Sequence, residues 1–335
     1  MKNQNTLYLF AISFVSTIGG FLFGYDTAII SGCNSFLESH FDLTATMLGW
    51  VVSSALLGTI LGCIISGRIT DKYGRKKALL LAASCLTISA VGSMLPPQFL
   101  GNLESSYWIT SSSDTSFISL VLVRIIGGVG VGITSVVAPI YISELTLPEK
   151  RGKMVSLYQL SITLGILLAF LVDWVVLNQA GANAGIISGS QVGFLDWLFV
   201  EELWRGMFAT EIPIALLFLV LLLFVPESPR WQLVNGMEEK AFSTMVKIGG
   251  TVQAKEQMAE MKEASKVAVK RFKELFKTYL RRTFLIGIIL PMFSHLSGIA
   301  AIMYFAPNIL NESIRCVESS FLGAVLVGLV NSIFT

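Results

Sequence analysis

Long apolar runs constrain this chain more than any other feature of its sequence. Seven runs of mostly apolar residues lie near 7–31, 46–66, 78–95, 117–142, 155–177, 205–225 and 283–305, and an eighth, incomplete run begins near Ser320. A helix needs about 20 such residues to cross the hydrocarbon core of a bilayer. Only 14% of the residues are charged, against about 25% in soluble domains. The sequence therefore predicts an all-α polytopic protein that lies in a lipid bilayer.

The basic residues predict the orientation of these runs. All of the 24 Lys and Arg residues except Arg124, Arg205 and Arg315 lie before the first run or in the even-numbered connections. Basic connections stay on the cytoplasmic side of a membrane. We therefore expect a multi-pass protein of the cell (inner) membrane with a cytoplasmic N-terminus. The net charge of +2 gives no reason to expect a nucleic-acid partner.

Three charged residues lie well away from the ends of the apolar runs, where a charge costs from a few to over ten kcal/mol. They are Asp26 in the first run, Arg124 in the fourth and Glu211 in the sixth. Burial favours the neutral form of a carboxyl group, and a nearby guanidinium favours the charged form. A movement of Arg124 relative to Asp26 would therefore change whether Asp26 holds a proton. The alternative is a static structural ion pair.

Two further features of the runs concern packing and exposure. Gly58 and Gly62 share one face of the second run, and small residues of this kind let membrane helices approach closely. The glycines of the fourth run, from Gly127 to Gly132, suggest the same role. Asp173 lies near the outer end of the fifth run. It is interpreted either as an exposed interfacial charge or as a residue at the mouth of a cavity.

A charged turn between the second and third runs resembles a known signature. The segment from Gly67 to Lys76 reads GRITDKYGRK, which is similar to the G-R-x-x-D-x-x-G-R-[RK] motif of the major facilitator superfamily. Three other stretches resemble the sugar porter family within it: GGFLFGYDTAIISG from Gly19, PIYISELTLPEKRG from Pro139 and PESPRW from Pro226.

The resemblance covers the whole chain. Within the family, the chain most resembles bacterial proton-linked xylose and hexose symporters. It implies twelve spans in two six-helix halves that rock around a central sugar site. This chain would then supply the N-terminal half at 1–225, a cytoplasmic helical linker at 226–281, and the first one to two helices of the C-terminal half at 282–335. The later spans are absent from the sequence, which indicates a fragment, a truncated gene, or a second chain that supplies the missing helices.

The resemblance also implies roles for individual residues. Symporters of the family carry an acid at the position of Asp26, so Asp26, Arg124 and Glu211 are the expected proton-coupling residues. Phe23 and Tyr304 match aromatic residues of the sugar site, and Gln159 is expected to be a buried amide that binds sugar. The expected cytoplasmic gate comprises Gly67, Arg68, Asp71, Gly74, Arg75, Glu144, Arg151, Glu227 and Arg230.

The seventh run departs from the family pattern. Where the family usually reads Q-Q-x-x-G-I-N, this chain has Ser294-His295-Leu296-Ser297-Gly298-Ile299-Ala300, and Ile166 replaces a second amide in the fifth run. His295 can donate or accept a hydrogen bond. It is therefore a candidate sugar ligand, with a core histidine as the equal alternative.

The resulting expectation is a proton-coupled monosaccharide symporter that works by alternating access. The alternatives are an uncoupled sugar facilitator, or a truncated remnant or sugar sensor that does not transport. No phosphate-binding Gly loop, metal-ligand cluster or nucleophile elbow is present in the sequence. We therefore expect neither an enzyme nor a cofactor or metal.

Overall fold

The computed structural model describes residues 6–94, 113–146, 148–183, 194–267 and 278–335, and within these ranges the chain is helical without a β-strand. The helices are α1 (Thr6–Phe41), α2 (Ala45–Tyr73), α3 (Arg75–Met94), α4 (Ser113–Leu145), α5 (Pro148–Asn183), α6 (Leu203–Ala209), α7 (Glu211–Phe224), α8 (Pro229–Val234), α9 (Glu238–Val267), α10 (Thr278–Leu296), α11 (Ile299–Ile314) and α12 (Val317–Phe334). A short helical segment, Phe194–Asp196, and a π-helical turn, Trp197–Glu201, precede α6.

Seven described stretches are long and apolar enough to cross a membrane. They are Tyr8–Phe41, Ala45–Tyr73, Arg75–Met94, Ile118–Leu145, Lys150–Gly181, Leu203–Phe224 and Val317–Phe334. The first six follow the predicted runs in order, and α6 and α7 together form the sixth. The last corresponds to the eighth run, which the sequence predicted to be incomplete. Its helix begins at Val317, ahead of Ser320, and so reaches 18 residues.

The seventh predicted run is not one continuous span. It is divided between α10 and α11, because the backbone at Gly298 adopts a left-handed conformation with φ of 83°. That conformation suits glycine and ends a helix. A second irregularity follows at Phe305, where φ is −128° and ψ is 18°, two residues before Pro307. Average hydropathy does not register such breaks, which is why the sequence predicted a single helix here.

Helix α1 lies at the centre of the bundle. It packs against α4, α5, α7 and α11 and contributes to both apolar clusters of the core. Leu22 belongs to the first cluster and Ile29 to the second, and both side chains are fully buried. Asp26 lies between them in the chain. The fold therefore carries a carboxyl group into the middle of an apolar helix bundle.

Glycines bring α2 and α4 into backbone contact. A methyl group on Gly58 would lie 2.1 Å from the carbonyl oxygen of Ile125, and one on Gly128 would lie 2.0 Å from that of Ala55. Gly62 and Gly132 face the opposite helix in the same way. The close approach predicted from the glycine spacing is thus confirmed. We call these four glycines the α2–α4 seam.

Adding a methyl group to this seam should destabilise the bundle. We expect Gly58→Ala to lower the free energy of unfolding by about 1–3 kcal/mol, because the helices must move apart. Gly49→Ala is the matched control on the same helix, since nothing lies within 4 Å of its added methyl group. Alanine there should stabilise α2 by up to about 1 kcal/mol. Thermal unfolding of both variants in one detergent tests this, and a Gly58→Ala protein as stable as the control would contradict the seam.

Helices α8 and α9 form most of the described part of the predicted cytoplasmic linker. Ala241, Met245 and Ile248 lie on one face of α9 and are buried, as expected for an amphipathic helix. Gly250, with φ of 80° and ψ of 171°, interrupts α9. The chain is therefore helical here, as expected, while the domain limits at 225 and 281 stay predictions.

Candidate functional site

The structure brings Asp26 and Arg124 into contact, as the sequence predicted. Arg124 Nη1 donates a hydrogen bond to Asp26 Oδ1, and the two side chains form an ion pair. Asp26 is 5% exposed and Arg124 is 1% exposed. We call Asp26 and Arg124 the central pair. A pair so deeply buried depends on both members, because loss of one leaves the other charge without compensation.

Other polar and aromatic groups surround the central pair. The guanidinium of Arg124 lies 5.6 Å from the ring centroid of Phe208, an arrangement that favours the cation. Glu211 is buried and interacts electrostatically with Asp26 and Arg124. The predicted three-residue group is therefore assembled in space, whereas its role in proton coupling stays a prediction.

Tyr304 also reaches this group. Its side chain is buried, interacts with Thr27, and lies within electrostatic range of Asp26 and Arg124. Asn34 of α1 donates a hydrogen bond of 2.9 Å from Nδ2 to the Tyr304 carbonyl oxygen, directly before the irregular backbone at Phe305. Sequence reasoning missed Thr27 and Asn34, because nothing in the sequence indicates which residues of α11 face α1.

Arg124 uses only part of its hydrogen-bonding capacity. Among the described residues, Nε and Nη2 have no hydrogen-bond partner, although the side chain is fully buried. A guanidinium can donate five hydrogen bonds in a fixed planar arrangement. Arg124 can therefore donate further hydrogen bonds to a second carboxylate or to a ligand hydroxyl without losing Asp26.

The predicted sugar ligands differ in their exposure to solvent. Phe23 lies one helical turn before Asp26, is half-buried, and packs against the first apolar cluster. His295 lies exposed in the last turn of α10, so the structure does not support the alternative of a core histidine. Its role as a ligand stays a prediction.

The expectation that Gln159 is a buried amide is wrong, because its side chain is exposed. Ser332 of α12 donates a hydrogen bond to the carbonyl oxygen of Thr163, and Gly328 packs against Leu167 and Phe170. Gln159 lies one helical turn before Thr163 on the same side of α5. It is not among the residues of α5 that make these contacts with α12. Its role as a sugar ligand stays a prediction.

One of the two interpretations of Asp173 is wrong. The residue is not an exposed interfacial charge, because its side chain is completely buried. Its carboxyl group lies against the backbone of α1 at Gly32, where an added methyl group would be 2.2 Å from Asp173 Oδ2. The sequence could not show this, because proximity to the end of an apolar run does not fix the side of the helix that a residue occupies.

The predicted cytoplasmic gate contains one compact network. Arg75 Nη2 donates a hydrogen bond of 3.0 Å to Glu144 Oε1, and the guanidinium and the carboxylate form an ion pair in which Nε lies 3.0 Å from Glu144 Oε2. Ser228 Oγ donates a hydrogen bond of 2.5 Å to Glu144 Oε2. The network thus joins the start of α3, the end of α4 and the segment before α8.

Glu227 caps the N-terminus of α3. Its carboxylate accepts hydrogen bonds from the backbone N–H groups of Arg75 at 2.9 Å and Lys76 at 3.1 Å, and from Ser228 at 2.8 Å. Gly74 makes room for it, because φ is 96° there and an added methyl group would lie 2.2 Å from Glu227 Oε2. A carboxylate at this position satisfies otherwise unpaired N–H groups and suits the helix dipole.

The other predicted gate residues lie outside this network. Arg151 Nε donates to the carbonyl oxygen of Ser143 at 2.9 Å. Asp71 contributes only its backbone carbonyl oxygen, which accepts a hydrogen bond of 3.0 Å from Trp231 Nε1. The exposed residues of the set are Gly67, Arg68, Asp71, Arg151 and Arg230.

Sequence reasoning missed Ser228 as a member of the gate network. The local signal was present, because a serine followed by proline at the first helical position is a typical helix start. The Ser228 side chain accepts the N–H of Trp231 at the start of α8. What the sequence could not show is that the same hydroxyl also reaches Glu144. In the described part of the chain, no group of three His, Cys, Asp or Glu residues could hold a metal ion.

Comparison with known proteins places this geometry in a family. The family model described as "Sugar (and other) transporter" matches residues 12–335. The D-xylose-proton symporter of Escherichia coli (strain K12) is 34% identical over 99% of this chain and 66% of its own length. The arabinose-proton symporter of Bacillus subtilis (strain 168) is 34% identical over 100% of this chain and 65% of its own length. The chain thus spans just under two thirds of these relatives.

A solved structure agrees with the sequence relatives. The partially occluded inward open conformation of the xylose transporter XylE from E. coli superimposes with a TM-score of 0.79 at 34% identity, covering 98% of this chain and 71% of that protein. The helices described above are therefore the N-terminal half and the beginning of the C-terminal half of a major facilitator fold. These relatives are membrane transporters and not enzymes. The chain belongs to the sugar transporter family, the sugar porters of the major facilitator superfamily.

Proposed function

We propose that this chain acts in proton-coupled symport of a monosaccharide, pentose or hexose, by alternating access. The observation that carries the proposal is the buried central pair, Asp26 and Arg124, with Glu211 beside it. A buried ion pair adds little net stability compared with apolar packing. A change in the charge of Asp26 on protonation would give this pair a function that apolar packing cannot provide.

The proposed coupling follows from electrostatics. When Asp26 is charged, it holds Arg124 by attraction, and when Asp26 takes up a proton, that attraction is lost. Arg124 then has Glu211 within electrostatic range and two unused nitrogens with which to engage it. Protonation would thus shift the balance between two arrangements of α1, α4 and α7, which is the differential interaction that any conformational switch requires.

The proposed sugar site lies beside this switch. Tyr304 and Phe23 supply aromatic surface near Asp26, and we infer that Gln159 and His295 supply hydrogen bonds from exposed faces of α5 and α10. Sugars are bound by amides and hydroxyls together with an aromatic ring. The relatives named as xylose and arabinose symporters support pentoses as the first candidates.

The gate network is proposed to close the cytoplasmic end. Arg75, Glu144 and Glu227 hold the ends of three helices together, and we infer that these contacts form in only one state of the transport cycle. The remaining predicted gate residues are assigned to the same role. The N-terminus would be cytoplasmic and the membrane the cell (inner) membrane, as the basic residues indicate.

The proposed partners are sugar, protons and the lipid bilayer, together with helices that cover α10. Ile286, Leu290 and Phe293 of α10 are at least 62% exposed. A second chain that packs against this apolar surface is therefore part of the proposal.

Uptake by reconstituted protein tests the proposed function. Vesicles that contain the purified chain should accumulate labelled xylose or arabinose when the outside is more acidic. One pH unit drives up to about tenfold accumulation for a single coupled proton. A protonophore should abolish accumulation and leave slow equilibration. Uptake that reaches the same plateau with and without the gradient would indicate a facilitator and overturn the proposal.

A further inference from the structure

Asp173 is a buried carboxyl group that the proposed mechanism does not use. It lies in α5 with no exposed surface, and its Oδ2 lies so close to α1 that Gly32 could not carry a side chain. Neither carboxyl oxygen has a hydrogen-bond partner among the described residues. Buried polar groups are almost always hydrogen-bonded, so this carboxyl group needs an explanation.

No cation compensates Asp173 in the described part of the chain. Its electrostatic neighbours on α1 are Tyr25 and Cys33, and neither an ordinary phenol nor an ordinary thiol supplies positive charge. Arg124 is engaged by Asp26, and Arg205 of α6 is engaged by Glu202.

The other charged and titratable groups on the elements around α5 are mainly acids. His40, near the end of α1, lies 3.6 Å from Glu202. The acids are Glu211 on α7, Glu318 at the start of α12, and Asp196 and Glu201 in the segment before α6. These acids supply no positive charge that could compensate Asp173.

A carboxylate in this position would be far less favourable than a neutral acid. The cost of burying an unpaired ion is several kcal/mol even after the protein relaxes, and a buried group neutralises instead. We propose that Asp173 is a second proton-binding site, separate from Asp26. It holds a proton in the conformation described here, and it releases that proton when α1 and α5 separate at Gly32.

The site is connected to the central pair through α1. Cys33 interacts electrostatically with Asp173 and also with Asp26 and Arg124. Tyr25 interacts with both Asp173 and Glu211, and its hydroxyl lies 2.6 Å from Thr210 Oγ1. If the chain is the symporter proposed above, Asp173 would add to the protons moved per cycle. The binding of a proton at Asp173 does not depend on that function.

Infrared spectroscopy tests the proton directly. The purified full chain near neutral pH should show a carbonyl band of a protonated carboxylic acid that is missing from Asp173→Asn. Glu318→Gln, at an exposed acid, should instead lose intensity from the ionised carboxylate bands. Asp173→Leu, an apolar replacement of similar size, should give the same result if the Asn variant does not fold. Loss of a carboxylate band from the Asp173 variants would overturn the proposal.

The pH dependence of stability gives a second test that needs no transport. Folded wild-type protein keeps the proton on Asp173, whereas the unfolded chain releases it above the ordinary range of about 3.9. Unfolding therefore releases a proton, and rising pH favours the unfolded state by up to about tenfold per pH unit. The unfolding temperature of the wild type should fall relative to Asp173→Asn between about pH 5.5 and 8. Parallel pH profiles for the two proteins would contradict a bound proton.

Discussion

Asp26→Asn is expected to abolish proton-driven accumulation and leave the exchange of sugar across the membrane intact. Asparagine has the shape of aspartate but cannot take up or release a proton. The side chain at position 26 beside Arg124 would then stay neutral in every state of the protein. Under a gradient of one pH unit, the accumulation ratio should fall from as much as about tenfold to about one. Counterflow of labelled sugar, which needs no gradient, should continue.

The same variant should be less stable than the wild type. Removal of one member of a buried ion pair costs about 3–5 kcal/mol, and we expect the lower end because Glu211 also interacts with Arg124. The double variant Asp26→Asn/Glu211→Gln removes both acids and should lose more. Glu318→Gln is the control at an exposed acid. Full accumulation by Asp26→Asn would remove the proton role of Asp26, whatever its stability.

Glu227→Ala is expected to loosen the start of α3. The carboxylate accepts three backbone N–H groups, and each buried donor left unpaired costs about 1–3 kcal/mol. Because part of this site is accessible to water, we expect a total loss of about 2–3 kcal/mol in the free energy of unfolding. Hydrogen exchange should show the first turn of α3 losing its protection, while the middle of α3 keeps it.

Two comparisons separate the cap from a general effect of charge. Glu227→Gln keeps a carbonyl oxygen that can accept hydrogen bonds, so it should recover part of the lost stability. Glu239→Ala removes an exposed acid from the nearby α9 and should change the unfolding temperature little. Unchanged exchange at Arg75 and Lys76 in Glu227→Ala would show that the cap is not important for α3.

Much of the fold could be predicted because membrane spans are determined by length and apolarity. The six runs up to 225 correspond to described spans in the predicted order. The glycines of the α2–α4 seam were also informative, since a row of residues without side chains has few uses other than close approach. The division at Gly298 was missed because a single left-handed residue barely changes the hydropathy of a run.

The site was predicted where an unfavourable charge left few alternatives. Asp26 and Arg124 are both too costly in lipid, so the sequence alone was enough to expect their contact. Gln159 and Asp173 show the limit of this reasoning. The exposure of each depends on which helices cover α5, and a single sequence does not reveal those neighbours. The gate shows the same limit, because Ser228 could be recognised as a helix cap but not as a partner of Glu144.

The α2–α4 seam has a mechanical consequence. Atoms of the two backbones lie too close for a side chain to fit between them, so sliding one helix along the other would force carbonyl groups and Cα atoms to collide. Protein interiors respond to such compression as stiff solids. In any large rearrangement of this bundle, α2 and α4 should therefore move together as one rigid unit. The relative movement of helices should occur at the other helix–helix contacts.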